Sequence, residues 1–368
     1  MQRPRSSEHR DPVGQGSADK IRALVIDDSA VMRQLLAAIL GEDDGIEVVG
    51  TAPDPYVARE KIKRLHPDVL TLDVEMPGMN GLKFLENLMR LRPMPVVMVS
   101  SLTSQGASAT LRALELGAVD VVAKPQGDPR EVIAGVAREL CAKVRAAAHV
   151  HLGRLPRSPV PARDLSVYAC AAARCERGVI AIGASTGGTQ AIGEILQRLP
   201  SRMPPIVVVQ HMPPRFTGYF AERLNEHCEL EVREAADGDR LQPGIALIAP
   251  GGCQTEIVES SDGYKARVFF GEPVNLHRPS VDVLFRSAAR SVGANGVGVI
   301  LTGMGSDGAH GLNAMRRNGA MTIAQDEATS LVFGMPERAI REGGVEEVLP
   351  LDRIAERLLL WAGESESK

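Results

Sequence analysis

The sequence is poor in aromatic residues, in cysteine and in long apolar runs, and charge of neither sign dominates. Aromatic residues make up 3% of the 368 residues, and 42 Lys and Arg against 46 Asp and Glu leave a formal net charge of −4. This balance argues against a protein that binds nucleic acid through bulk positive charge. The apolar runs are far shorter than the ~20 residues of a membrane-spanning helix. The polar N-terminal stretch lacks the apolar core of a secretory signal.

The cysteines are few and scattered. Cys170 and Cys175 lie close enough for a metal clip, but no second Cys or His pair follows at zinc-site spacing. Free thiols in a reducing compartment are the simpler interpretation of all five. We therefore expect a cytoplasmic protein that does not insert into a membrane.

Aliphatic residues are abundant enough to build two cores. Hydrophobic residues make up 44% of the chain, and a length of 368 residues predicts two domains at roughly 100–200 residues each. A stretch rich in Pro and Arg separates two regular halves. The predicted division is a disordered leader at residues 1–19, a first domain at 20–147, a semi-extended linker at 148–177 and a second domain at 178–364.

Short apolar runs alternate with stretches of helical period in both halves, a pattern typical of parallel sheets covered on both faces. We expect an α/β protein with two doubly wound parallel-sheet domains, the first flavodoxin-like and the second Rossmann-like. A short antiparallel strand or hairpin arm is expected near residues 268–270. The predicted parallel strands are residues 23–26, 46–49, 69–72, 96–99 and 119–122, then 179–182, 206–209, 245–248, 297–301 and 321–324.

Polar side chains follow the strands of the first domain. Asp27 and Asp28 follow its first strand, Asp73 its third, Ser100 its fourth and Lys124 its fifth. These positions converge at the carboxyl edge of a doubly wound sheet, where the carboxylates would repel one another without a hard cation such as Mg²⁺. Asp73 could then attack a phosphoryl group, with Ser100 and Lys124 contacting its oxygens. One Asp after a strand is commonly only a helix N-cap, but the joint pattern favours a functional site.

The same segments resemble the receiver domain of two-component response regulators over about residues 21–144. The resemblance implies that Asp73 accepts a phosphoryl group from a histidine kinase. It also implies that Mg²⁺ is held by Asp27, Asp28 and Asp73 with the backbone carbonyl of Glu75, and that Ser100 is a switch hydroxyl with Lys124 beside it. The motifs that carry it are residues 25–29, 73–78 and 123–125.

Ser185 lies in a glycine-rich turn, residues 183–188, between a predicted strand and a helical stretch. Small residues permit a sharp turn, and the start of a helix offers N–H groups to an oxyanion. The turn fits the G-x-S-x-G elbow of acyl-transfer enzymes. A turn that cradles a phosphate would look similar, so this motif alone leaves both interpretations open.

A serine nucleophile needs a base and an acid that orients the base. His211 follows the next strand through Gln210, and Asp307 lies in a glycine-rich loop after the strand at residues 297–301. Each has a structural alternative: His211 could be a capping or buried structural histidine, and Asp307 could be a helix N-cap. Three strand-end loops that each offer one member of a triad favour catalysis. The order Ser, His, Asp differs from that of α/β-hydrolases.

The second half resembles the catalytic domain of the chemotaxis protein-glutamate methylesterases and protein-glutamine glutaminases, the CheB family, over about residues 178–360. A receiver, a linker and this domain follow one another in that family too. Residues 88–102 also look like its version of a receiver. The motifs are residues 184–188, 210–212, 277–282, 302–309, 325–327 and 333–336.

This resemblance implies hydrolysis of glutamyl methyl esters, and deamidation of glutamines, on methyl-accepting chemoreceptors. Ser185 would attack, His211 would act as base and then acid, and Asp307 would orient His211. The backbone N–H of Met304 would donate to the oxyanion, with Thr186 close by.

Further expectations follow from the resemblance. The unphosphorylated receiver would pack over the catalytic face and block large substrates. We expect a monomer that takes its phosphoryl group from the chemotaxis histidine kinase, with no cofactor for the esterase and no nucleic acid as partner. Gln254 stands where the family often has a His, and the leader is extra.

The alternative is a receiver that controls a Rossmann-like ligand-binding domain without esterase activity. A nucleotide site wants an acid after the next strand to hold the ribose, and this chain has Gln210 and His211 there. A transcription factor is disfavoured, since the sequence shows neither a helix-turn-helix nor a basic face.

Overall fold

The computed structural model describes residues 20–76, 80–101, 103–125, 129–150 and 177–363. The predicted leader, most of the predicted linker, and Cys170 and Cys175 lie outside these residues. In the part described, no helix is long and apolar enough to span a membrane.

The first domain is a five-stranded parallel sheet in the order β2-β1-β3-β4-β5, with helices between consecutive strands. This is the flavodoxin-like order, which places the crevice at the carboxyl ends of β1 and β3. Its elements are β1 Ile21–Ile26, α1 Ala30–Gly41, β2 Ile46–Ala52, α2 Pro55–Leu65, β3 Val69–Asp73, α3 Gly81–Leu91, β4 Val96–Ser100, α4 Ser104–Glu115, β5 Asp120–Ala123 and α5 Pro129–Ala148.

The second domain contains a seven-stranded parallel sheet in the order β14-β13-β12-β6-β7-β9-β8, together with an antiparallel hairpin of β10 and β11. The chain runs outward from β6 to β7 on one side and later returns to β12 on the other, so the topological switch lies at β6. The elements are β6 Val179–Ala184, α6 Gly188–Leu196, β7 Ile206–Gln210, α7 Phe216–Asn225, β8 Glu231–Glu234, β9 Ile245–Ile248, β10 Gln254–Ser260, β11 Gly263–Phe269, α8 Val281–Ser291, β12 Gly296–Ile300, α9 Ala309–Arg317, β13 Met321–Gln325, α10 Met335–Arg341, β14 Glu347–Leu349 and α11 Leu351–Gly363.

Most central strands are buried along their whole length because helices cover both faces of both sheets. Every residue of β3, β4, β6, β7, β12 and β13 is buried. Burying one Val, Leu or Ile stabilises the fold by about 1.5–3 kcal/mol. Polar side chains are therefore left to the strand ends, which is where the candidate sites lie.

The predicted fold class is confirmed: two doubly wound parallel sheets, with a hairpin where residues 268–270 were expected to pair. Two short edge strands, β8 and β14, and the first hairpin arm, β10, were not predicted.

Candidate active site and phosphorylation site

Ser185 lies in the turn between β6 and α6, at the switch point of the second sheet. Its backbone is fixed from both sides, because its N–H donates to Thr302 at 3.1 Å and its carbonyl accepts from the Gln210 side chain at 2.9 Å. Gly187 turns the chain with φ of 78°, which a side chain disfavours. Ser185 is 6% exposed, so its hydroxyl sits in a shielded crevice.

His211 lies directly beside this turn. Ala184 pairs with Gln210 across β6 and β7, and the His211 N–H donates to the Ala184 carbonyl at 3.1 Å. Because neighbouring strands lie about 4.8 Å apart, this register brings the backbones of Ser185 and His211 together at one sheet edge. The structure thus places the two residues that the sequence predicted there side by side at this edge.

Asp307 completes the cluster from the loop after β12. His211 Nε2 lies 2.8 Å from Asp307 Oδ2, and both side chains are buried. A carboxylate only accepts hydrogen bonds, so Nε2 carries the proton and Nδ1 keeps its lone pair. Nδ1 is buried and has no hydrogen-bond partner among the described residues. The imidazole is therefore held in the tautomer that a general base requires.

Asp307 is not the N-cap of its own helix, α9, which Gly308 caps instead. Its carboxylate rests on the start of α8, where the N–H groups of Val281 and Asp282 donate to it at 2.7 and 3.2 Å. The Ser280 hydroxyl adds a bond of 2.8 Å. A helix N-terminus favours a negative charge, so α8 stabilises the ionised form.

These donors decide the protonation state of Asp307. Burial alone would raise the pKa of its carboxyl, but hydrogen bonds from His211, Asn275 and Ser280, together with the charge that His211 carries when protonated, hold that pKa well below its usual range. Asp307 is thus a carboxylate at every physiological pH, as an orienting acid must be.

Gln254 braces the loop that carries these donors. Its side chain donates to the carbonyls of Glu272 and His277 at 3.0 and 3.1 Å and accepts from the Ser280 N–H at 2.9 Å. It is buried. Gln254, the residue that departs from the expected family pattern, thus holds this loop through three hydrogen bonds.

The loop of residues 302–305 packs against Ser185. A side chain at Gly303 would place its Cβ 2.8 Å from the Ser185 Cβ, so only glycine fits. Met304 follows in the same loop and is half-buried. The predicted oxyanion donor is therefore next to the serine turn in space, and its role stays a prediction.

The first domain gathers Asp27, Asp28 and Asp73 at the carboxyl edge of its sheet. One carboxylate oxygen from each lies within 4.8 Å of the other two. Asp27 and Asp73 are buried, and Asp28 is exposed. Asp27 also holds the start of α1 by accepting from the Ser29 N–H at 2.9 Å, but its other oxygen is buried and accepts no hydrogen bond from the described residues.

Lys124 offsets this negative charge. Its ammonium lies 2.7 Å from Asp73 and 3.0 Å from Asp27; the second contact is an ion pair whose geometry does not make a hydrogen bond. Burial raises the pKa of Asp73 to about 6 and the Asp27 charge adds to this, while Lys124 and the Glu75 N–H act in the opposite direction. The cluster is thus short of positive charge.

The predicted switch residue lies at the end of β4. Ser100 is buried, and its hydroxyl donates to the carbonyls of Gly106 and Ser101. The Glu75 side chain accepts from the hydroxyls of Ser101 and Thr103 at 3.3 and 3.4 Å. The loop before α4 is thus tied to residues beside Asp73.

The two domains meet next to Ser185. The Thr186 hydroxyl donates to the Asp120 carboxylate at the start of β5, and both side chains are buried. Lys143 of α5 pairs with Asp120 at 3.0 Å and donates to the Val121 carbonyl at 2.6 Å. Burial lowers the pKa of Lys143, but Asp120 and Glu139 outweigh it and hold that pKa above its usual range. In this structure the Thr186 hydroxyl therefore binds the first domain, and its predicted role near the oxyanion stays a prediction.

Further contacts extend this interface on both sides. Gln190 donates to the Leu114 carbonyl at 2.7 Å, and Arg223 pairs with Glu115 at 2.7 Å. Leu331 and Val332 pack against the core of the first domain. A cavity of about 520 Å³ lies between α5 and the loops of the second domain, lined by Arg145, Ala146, His149, Met304, Glu327 and residues 330–333. Helix α5 thus faces the loop that carries the predicted oxyanion donor.

Sequence reasoning found the members of both clusters but missed their supports. Asp120, Lys143 and Asn275 were not singled out. An acidic residue inside a predicted apolar strand, as at Asp120 in residues 119–122, was the available sequence signal. The Thr186 hydroxyl that donates to Asp120 lies in the other domain, which no local pattern shows.

The chain matches two families over ranges that contain these clusters. Residues 180–358 match the CheB methylesterase family, and residues 23–137 match the response regulator receiver domain. Protein-glutamate methylesterase/protein-glutamine glutaminase 1 of Xanthomonas euvesicatoria pv. vesicatoria is 52% identical over 94% of this chain and 98% of its own length. The corresponding protein of Pectobacterium atrosepticum is 54% identical over 92% and 96%.

Among solved structures, the catalytic domain of the Thermotoga maritima CheB methylesterase is 40% identical, covering 50% of this chain and 98% of that chain with a TM-score of 0.49. The high identity to the two full-length relatives spans both domains. The chain therefore belongs to the CheB methylesterase family, with a response regulator receiver domain ahead of the methylesterase domain.

Proposed function

We propose that this chain is a phosphorylation-regulated serine hydrolase that demethylates glutamyl methyl esters, and deamidates glutamines, on methyl-accepting chemoreceptors. The observation that carries the proposal is the hydrogen bond between His211 and Asp307 at the sheet edge that also bears Ser185. The names of the relatives support the same two activities. A ligand-binding domain without esterase activity would have no use for a buried His–Asp pair beside a serine.

In this mechanism Ser185 attacks the ester or amide carbonyl while His211 Nδ1 takes its proton. The collapsing tetrahedral intermediate expels methanol or ammonia, to which His211 returns the proton, and leaves a glutamyl ester on Ser185. Water, deprotonated by His211, then releases glutamate and restores the serine. Asp307 stays ionised and stabilises the imidazolium formed in each step.

The developing oxyanion needs donors that are in place before the reaction. We assign the backbone N–H of Met304 to this role, because Gly303 brings the loop against Ser185. Thr186 follows the nucleophile in the same turn and would be free to assist once Asp120 releases its hydroxyl.

The receiver domain supplies the control. Its oxygen donors suit Mg²⁺. One buried oxygen of Asp27 accepts no hydrogen bond from the described residues and has only the Lys124 ion pair, so it offers a ligand. Asp27, Asp28, Asp73 and the Glu75 carbonyl would hold the ion, which when bound neutralises the phosphoryl oxygens. Asp73 would then accept the phosphoryl group of the chemotaxis histidine kinase, with Lys124 and Ser100 as the switch residues.

Regulation follows from the interface beside Ser185. The receiver binds Thr186 through Asp120 and places α5 over the Met304 loop, which would exclude a protein substrate. Phosphorylation of Asp73 would weaken this packing. We propose that the protein acts as a cytoplasmic monomer, since one chain holds both the site and its cover.

Methanol release from methylated chemoreceptor membranes tests the proposed function. The full-length protein with a small phosphodonor and Mg²⁺ should release methanol, and unmethylated membranes should give none. No release above the enzyme-free rate would contradict the proposal.

Replacing Asp307 by Asn should lower kcat for methanol release by roughly 10³–10⁴-fold, the loss typical of an orienting acid. An amide that donates to Nε2 would force the proton of His211 onto Nδ1 and so remove the base. Steady-state kinetics on methylated receptor measure this.

Asp326→Asn is the matched control, because this carboxylate follows the neighbouring strand and binds Thr329 instead. It should keep kcat within about two-fold. Equal activity of D307N and D326N would remove Asp307 from the mechanism.

Replacing Arg223 by Glu should raise the basal activity of the unphosphorylated protein by about two- to five-fold. The change sets like charges opposite each other at the domain interface, where an exposed pair is worth roughly 0.2–1 kcal/mol. Methanol release without phosphodonor measures the effect.

The double variant Glu115→Arg/Arg223→Glu restores opposite charges and should return to the basal rate. Arg341→Glu makes the same charge change at a residue that pairs with Glu337 within its own helix, and it should leave the basal rate unchanged. A basal rate unaffected by R223E would argue against this contact as a restraint.

A further inference from the structure

The ring of His277 lies flat against the ring of His211. The two ring centroids are 3.7 Å apart and the ring planes differ by 12°. His277 is half-buried at the active-site edge, and the reaction scheme above gives it no part. A parallel stack this close restrains both rings.

The His211 ring needs such a restraint because its hydrogen bonding fixes only one point. Nε2 is bound to Asp307, while Nδ1 has no partner among the residues described. One hydrogen bond leaves the ring free to rock about that contact, which swings Nδ1 through an arc. Proton transfer needs Nδ1 within about 3 Å of the serine hydroxyl and in line with it. A flat surface against the ring removes this freedom.

The loop that presents His277 is itself rigidly held. The backbone N–H and C=O groups of Val274 and His277 bond to each other at 2.9 and 3.0 Å, and the two residues between them have positive φ. Gln254 also donates to the His277 carbonyl. The stacking ring is therefore a fixed support.

His277 also remains neutral beside a base that becomes charged. Burial first, and then the charges of His211 and Lys143, lower the pKa of His277 to about 3, although Asp307 acts in the opposite direction. A neutral ring does not repel the imidazolium that His211 becomes during turnover.

We propose that His277 is a positioning residue, whose stacked ring fixes the plane of His211 and so aims Nδ1 at the Ser185 hydroxyl. The inference rests on the proposed function, because it assigns His211 as the base. What the position requires is a flat ring of this size, with no hydrogen bond from that ring.

The test compares His277→Phe with His277→Leu in the full-length, phosphodonor-activated protein. Phe keeps a flat ring and should retain kcat within about three-fold of the wild type. Leu fills similar space without a plane and should lower kcat about 10–100-fold at unchanged KM, the range that follows from misplacing a catalytic group by an ångström or less. The rate of Ser185 labelling by a serine reagent should fall in parallel.

Two outcomes would overturn the proposal: equal kcat for all three proteins, or an equal loss with Phe and with Leu. Thermal unfolding checks each variant, and His277→Gln replaces the Leu variant if that one does not fold. The wild type is assayed alongside the variants. An inactive wild type would contradict the proposed function. An active wild type together with an unaffected Leu variant would reject only the role of His277.

Discussion

Replacing Ser185 by Ala should abolish methanol release from methylated receptors, lowering kcat by at least about 10⁴-fold. The reaction would lose its nucleophile, and the remaining groups could only assist attack by water, which recovers a small fraction of the rate. The fold should persist, because the Ser185 contacts to Thr302 and Gln210 are made by its backbone. Methanol release by equal amounts of folded wild type and variant, in the presence of phosphodonor, measures the loss.

A serine remote from the strand ends provides the control. Ser291 is the last residue of α8, and its hydroxyl donates to the Ile257 carbonyl of β10. Ser291→Ala should therefore keep kcat within about two-fold. Turnover by S185A within ten-fold of the wild type would exclude Ser185 as the nucleophile.

Replacing Asp73 by Asn should remove stimulation by a small phosphodonor while preserving the basal rate. An amide cannot form the acyl phosphate, so the receiver would remain in its resting arrangement. The substitution leaves Lys124 paired with Asp27 at 3.0 Å, so no buried charge loses its last partner. The ratio of methanol release with and without phosphodonor should fall to about one in D73N.

Asp54→Asn is the matched control in the receiver, because Asp54 follows β2 of the same sheet and caps α2. Asn is an equally good N-cap, so this variant should be stimulated like the wild type. Equal stimulation of D73N would mean that control does not pass through Asp73.

The fold was largely predictable because central parallel strands are continuous apolar runs. The strands that escaped are those without such a run. β8 reads Glu231–Glu234 with a single buried residue, and β14 spans only three residues. Their pairing comes from the sheet edge beside them, which the local sequence does not encode.

The candidate site was predictable for a related reason. Ser185, His211 and Asp307 each follow a recognisable strand, and parallel strands place their ends at one edge. The interdomain contact of Thr186 with Asp120 joins residues 66 positions apart, in domains whose docking no periodicity reveals. The stack of His277 on His211 depends on a loop with two non-glycine residues at positive φ. The amino-acid composition of the loop does not predict this conformation.

The most direct test of a receiver-controlled serine hydrolase is the rate at which a bulky active-site serine reagent labels the full-length protein, with and without phosphodonor. We predict a single label on Ser185 by peptide mapping, and faster labelling when Asp73 is phosphorylated. A label on another residue, or a rate that phosphodonor does not change, would contradict the account.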